Sequence, residues 1–149
     1  MKKILIVCII FLSLMLVGCS SGSQGLEFKL NEDGKSYKLV SIGECKETEI
    51  VIPKKYNGLP VTTIGKKAFY NCENLTSVEI PKTITTIENS AFYFCKGLTE
   101  ITIPKSVTKM GSLVFGFCDN LTIYCKVQSA PSGWDPLWNF SNRPVVWNK

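Results

Sequence analysis

Apolar residues return along this chain at a fixed interval of 23. Ile64, Ile87 and Met110 share one column, Ala68, Ala91 and Val114 a second, and Phe69, Phe92 and Phe115 a third. Cys72, Cys95 and Cys118 follow, then Leu75, Leu98 and Leu121. Val78 with Ile101, Ile80 with Ile103, Pro81 with Pro104, and Ile84 with Val107 complete the pattern. So many coincidences at one shift define an internal repeat, and a period of about 20 to 50 residues predicts a stack of near-identical coils.

Within each repeat the alternation Val78-Glu79-Ile80 or Ile101-Thr102-Ile103 predicts a short strand with one face turned inward. Pro81 and Pro104 lack an N–H and end it, so the chain must turn there. The Ala-Phe pair predicts a tight or short helical turn that returns the chain to the next Leu. A lone coil buries too few apolar side chains to offset the entropy of ordering it. Stacking adds ladder hydrogen bonds and should bring Phe69, Phe92 and Phe115 into one row.

The predicted fold is therefore a mainly β solenoid with repeats over 50–125. Ile50-Val51-Ile52-Pro53 matches the strand-and-proline element, but eleven residues separate Pro53 from Ile64 where six separate Pro81 from Ile87. About five extra residues near Tyr56–Pro60 should bulge out as a loop. Over 26–49, Leu26–Leu30 and Tyr37–Ile42 flank the turn-rich Asn31–Gly34 and predict a β-hairpin cap on the first coil. Over 126–149, Trp134, Trp138, Phe140 and Trp147 predict an aromatic cap on the last.

The opening residues have a different pattern. Lys2 and Lys3 precede an apolar run from Ile4 to Val17, too short for a bilayer span but suited to a secretory signal. Leu16-Val17-Gly18-Cys19 resembles the lipobox of bacterial lipoproteins. That resemblance implies a signal peptide over 1–18 and a diacylglyceryl group on the sulfur of Cys19. It also implies a membrane anchor and a place in the bacterial cell envelope, outside the cytoplasm. Two acyl chains anchor stably where one does so only marginally. Residues 19–25, rich in Ser and Gly, then read as a flexible tether.

The columns themselves resemble the BspA-like leucine-rich repeat family, whose repeats run Ile-Gly, Ala-Phe, Cys, Leu-Thr, Ile-Pro. Ile64-Gly65, Ala68-Phe69, Cys72, Leu75-Thr76 and Ile80-Pro81 carry the likeness, and Pro131–Trp134 and Asn142–Trp147 are similar to the tail of such arrays. Glu88 departs from the pattern's glycine and suggests a different turn in that coil. The resemblance implies a leucine-rich-repeat-like stack and a surface protein used for adhesion or protein binding, with no catalytic residues.

Composition narrows the chemistry. The 149 residues contain no histidine, which removes Ser-His-Asp and Cys-His nucleophiles and histidine-ligated zinc. The net charge is +5, of which Lys2 and Lys3 lie in the leader; the remaining excess is too mild for nucleic-acid binding. No enzyme, metal or cofactor is expected. The 23-residue cysteine spacing is the repeat period and not a zinc motif, so Cys45, Cys72, Cys95, Cys118 and Cys125 are expected as free thiols. Three sets of residues are candidates for a partner. The outward strand positions Glu49, Val51, Ser77, Glu79, Glu100, Thr102 and Tyr124 could meet a surface protein. Lys54, Lys82 and Lys105, each after a turn proline, could attract an anionic cell-wall polymer. Trp134, Trp138 and Trp147 could stack on a glycan.

Overall fold

A computed structural model describes residues 22–43 and 46–149. The leader, Cys19 and Cys45 lie outside the described residues. The chain winds into about five coils spaced by about 23 residues. Its strands are β1 (Glu27–Leu30), β2 (Tyr37–Ser41), β3 (Glu49–Val51), β4 (Lys55–Tyr56), β5 (Leu59–Ile64), β6 (Ser77–Glu79), β7 (Thr86–Ile87), β8 (Glu100–Ile103), β9 (Lys109–Met110), β10 (Thr122–Cys125) and β11 (Val145–Trp147).

Each coil has three walls. On the first, β3 pairs with β6, and β8, β10 and β11 pair in turn, all parallel. The second is the run β2-β5-β7-β9, also parallel, with β1 antiparallel on β2. The third is built of turns, not strands, and it too forms a ladder. Phe69 N donates to Ala91 O at 2.8 Å, Phe92 N to Val114 O at 3.0 Å, and Val114 N to Trp138 O at 3.1 Å. The proline after each strand and the turn before each Leu close the coil, so one buried residue per column meets its counterpart above and below.

The expected aromatic row is present. Phe69 stacks on Phe92 with ring centroids 4.8 Å apart, and Phe92 on Phe115 at 5.5 Å. All three rings are fully buried, with Ile64, Ile87, Leu98, Ile101 and Ile103 beside them.

Both caps are themselves coils. Leu39 on β2 is buried in register with Ile64, and Gly65 N donates to Leu39 O at 2.7 Å. The predicted hairpin is thus also the first rung of the second wall. At the other end Trp134 bridges to Met110, Phe115 meets Trp138 edge-on at 6.1 Å, and β11 pairs with β10. The array therefore extends past 50–125 at both ends. Leu39 precedes Ile64 by 25 positions and Trp134 follows Met110 by 24, which is why a constant shift of 23 loses them.

Other local expectations change. The extra residues after Pro53 are not an open loop but a hairpin, with β4 antiparallel to β5. Asn57 and Gly58 have φ of 46° and 81°, the positive pair that a two-residue type I′ turn requires. Tyr56 stacks on Phe28 at 4.4 Å and meets Tyr37 edge-on, tying this hairpin to the cap. Of the tight or short helical turn expected at the Ala-Phe pair, the tight turn is the one formed, without a helical segment. Lys67, Ser90 and Leu113, and again Asn71, Phe94 and Phe117, turn the chain with φ between 55° and 62°. Glu88 does not change the turn of its coil: Glu88 N donates to Ile64 O as Gly65 N does to Leu39 O, and Ser90 keeps the positive φ of Lys67, while the Glu88 carboxylate accepts from Lys38 Nζ and from Lys66 N. The segment read as a tether over 19–25 is docked where it is described. Ser23 N donates to Val51 O at 2.9 Å, Val51 N donates to Ser23 Oγ at 3.0 Å, and Gly22 lies so close to Pro53 that a Cβ would stand 2.8 Å from its ring.

Candidate interaction surfaces

The strand wall brings the first set of candidates together as ladder neighbours. Glu49 faces Ser77 and Val51 faces Glu79; Glu100 faces Thr122, Thr102 faces Tyr124, and Tyr124 faces Val146. Glu49, Glu79, Glu100 and Thr102 are exposed, while Val51, Ser77 and Tyr124 are half-buried. The wall is not one sheet, however. β6 and β8 run side by side without a ladder. A cleft of about 330 Å³ opens there, lined by Ser77, Val78, Glu79, Glu100, Ile101 and Lys126. Val78 and Ile80, at 7% and 9% exposure, are the least covered inward side chains of this wall before β11. The same two coils touch on the turn wall, where a Cβ on Gly97 would stand 2.5 Å from Glu73 O, so glycine is required for the close approach.

Lys54, Lys82 and Lys105 are all exposed, each beyond the proline that ends its rung. The described ion pairs use other residues: Lys38 with Glu88, Lys96 with Glu73, and Arg143 with Asp119.

The tryptophans are placed for packing. Trp134 and Trp138 are only 6% and 8% exposed. Their rings meet edge-to-face at 4.9 Å, Trp147 lies against both, and Trp134 Nε1 donates to Val107 O at 3.1 Å. The glycan-stacking reading of Trp134 and Trp138 is corrected by this burial: a sugar needs an open ring face, and the end of an apolar stack needs those faces covered.

The cysteine column fills the corner behind the phenylalanines. Cys95 Sγ and Cys118 Sγ are buried and donate to Phe69 O and Phe92 O, both at 3.0 Å, while Cys72 at the start of the column is half-buried. Cys72, Cys95, Cys118 and Cys125 are free thiols. Neighbouring thiols of Cys118 and Cys72 push Cys95 well above the ordinary thiol range, and burial pushes Cys125 up to about 12.

One surface was not legible in the apolar columns. On the turn wall Tyr70 stacks on Tyr93 at 5.6 Å and Phe94 on Phe117 at 4.8 Å. The two stacks lock edge to face, Tyr93 against Phe94 at 4.9 Å and against Phe117 at 5.4 Å. Two of its rings are exposed, Tyr70 at 44% and Phe117 at 42%, while Tyr93 and Phe94 are half-buried. Phe94 and Phe117 occupy left-handed backbone, which costs a bulky residue about 1–2 kcal/mol. Asn71, a residue that tolerates that conformation, holds the equivalent place one coil earlier. The signal available in the sequence was a second pair of 23-residue columns, Tyr70 with Tyr93 and Phe94 with Phe117.

The coil geometry is shared with known proteins. The model of the BspA type leucine rich repeat region, in 6 copies, matches residues 37–129, from the first residue of β2 past the end of β10. The chain belongs to the BspA-type leucine-rich repeat family. No curated protein matches it. Among solved structures it is similar to a leucine-rich repeat protein of Bacteroides capillosus ATCC 29799, with 30% identity over 70% of this chain and 98% of that one, TM-score 0.51. A leucine rich cell surface protein of Faecalibacterium prausnitzii A2-165 is 26% identical, covering 86% of this chain and 42% of that one, TM-score 0.65. The T. pallidum leucine rich repeat protein, at 21% identity, 86% and 64% coverage and TM-score 0.57, shares the fold. The chain thus spans less than two thirds of the length of these last two proteins.

Proposed function

We propose that this BspA-type repeat protein is a binding scaffold of the bacterial cell surface, anchored through lipidated Cys19, that contacts a protein partner or serves adhesion. The observation that carries the reading is the ladder: outward side chains of successive coils are held in fixed register at strand spacing, about 4.8 Å. Repeat stacks present extended surfaces of this kind to macromolecules. The lipobox-like Leu16–Cys19 supports the anchor, and a relative described as a cell surface protein supports the location.

Fractionation tests it. Wild type should sediment with membranes, and on intact cells a membrane-impermeant cross-linker should shift it into a discrete heavier adduct. Cys19→Ser should abolish membrane retention. Retention of Cys19→Ser in membranes would contradict the anchor, and a wild-type protein that never forms an adduct would contradict the scaffold.

A further inference from the structure

The aromatic ridge on the turn wall stands outside the buried core and outside the partly buried side chains packed against it. Tyr70 and Phe117 lie outside it, and the buried row of Phe69, Phe92 and Phe115 is complete without them. Two of the ridge residues, Phe94 and Phe117, sit in backbone that disfavours them. A coil turn accepts Asn at that place, as Asn71 demonstrates, so folding does not call for phenylalanine there. Exposed aromatic clusters of this kind mark contact surfaces.

We propose that Tyr70, Tyr93, Phe94 and Phe117 form a docking ridge for a protein partner whose contacting surface is apolar at its centre and bears carboxylates at its rim. This inference rests on the scaffold reading and assigns the contact to the turn wall instead of the strand wall.

The chemistry of the partner follows from what surrounds the ridge. Lys67 Nζ lies 5.0 Å from the Tyr70 ring centre and Lys96 Nζ 5.6 Å from that of Phe94. Lys66 is exposed beside Lys67, whereas the nearby acids Glu73 and Asp119 are engaged by Lys96 and Arg143. Those two pairs cancel, Lys96 included, so the positive charge left at the rim is that of Lys66 and Lys67, which complements carboxylates. A glycan fits less well because one face of every ring is taken by its stacking neighbour and Lys67 lies over the Tyr70 ring. A bilayer fits less well because Ser23 is bonded to Val51 on a different wall. With Cys19 as the anchor, the few residues before Ser23 reach only about 10 to 14 Å, which draws that other wall toward the lipid.

The test is selection of a random peptide library on the purified full-length mature lipoprotein in detergent, followed by titration of the enriched synthetic peptides. The doubly substituted Phe94→Asn/Phe117→Asn protein is the critical variant. It keeps the turn geometry that Asn71 adopts and should unfold within a few degrees of wild type. Peptides rich in Asp or Glu and apolar residues, with affinity reduced tenfold or more in this variant and unchanged in Thr102→Arg, support the ridge. Peptides that lose affinity only in Thr102→Arg overturn the ridge and leave the scaffold reading standing on the strand wall. Failure to enrich any peptide counts against both. Binding of phosphatidylglycerol vesicles that depends on Phe94 and Phe117, without peptide binding, overturns the protein partner in favour of lipid.

Discussion

At the scale of single residues, the fold treats chemically similar side chains in opposite ways according to their place in the coil. Phe92 is sealed between Phe69 and Phe115, while Phe94, two positions on, turns outward in left-handed backbone. Both belong to 23-residue columns, Phe92 with Phe69 and Phe115, and Phe94 with Phe117, and the spacing alone does not say which column faces the core. The second was missed because its conformation depends on a turn that apolar periodicity does not encode. The thiols give a residue-scale prediction. Cys125 is buried and its pKa is raised to about 12, above the roughly 8.5 of an unfolded thiol. The raised value favours the protonated fold, so its contribution is fully present below about pH 8.5 and is lost as pH climbs toward 12. Thermal midpoints measured from pH 7 to 11.5 should fall through that window, and Cys125→Ala should flatten the fall. A midpoint that is level across the alkaline range in wild type would refute a buried neutral thiol.

At the scale of elements, the strands and prolines of the regular coils were legible because their alternation repeats without insertion, as in Val78–Pro81 and Ile101–Pro104. The β4–β5 hairpin was not read, although Asn57-Gly58 is the dipeptide that a type I′ turn favours; the extra length was noticed and its turn chemistry was not. The aromatic tail was read as a cap, and the structure makes it a further coil, with Trp134 following Met110 and Trp138 following Phe115. Because Trp138 closes the phenylalanine row, Trp138→Ala should leave a cavity at the end of the stack and cost about 3–5 kcal/mol in urea unfolding. Tyr124→Ala, on the half-exposed outer side of β10, should cost clearly less. Equal losses for the two substitutions would mean that the tail is not packed as a coil.

At the scale of the whole molecule, each coil depends on its neighbours, since a single turn of chain cannot bury enough to fold alone. The walls do not share this coupling evenly. The second wall is laddered from β2 to β9 and the turn wall from Lys67 to Trp138, whereas the strand wall is interrupted between β6 and β8. Continuity across the ends is thus carried by hydrogen bonds such as Gly65 N to Leu39 O at 2.7 Å and Asp135 N to Met110 O at 2.8 Å. The solenoid and its inward residues could be read from the repeat, whereas the division of the strand wall depends on how coils tilt in space, and the columns of Tyr70 with Tyr93 and Phe94 with Phe117 do not say that those rings face outward. Native-state hydrogen exchange tests the central claim, a single stack that includes both caps, most directly. Amides of Gly65, Phe69, Phe92, Val114 and Asp135 should be strongly protected and open with closely similar free energies. Rapid exchange at Asp135 and Val114, beside slow exchange at Phe69 and Phe92, would contradict it.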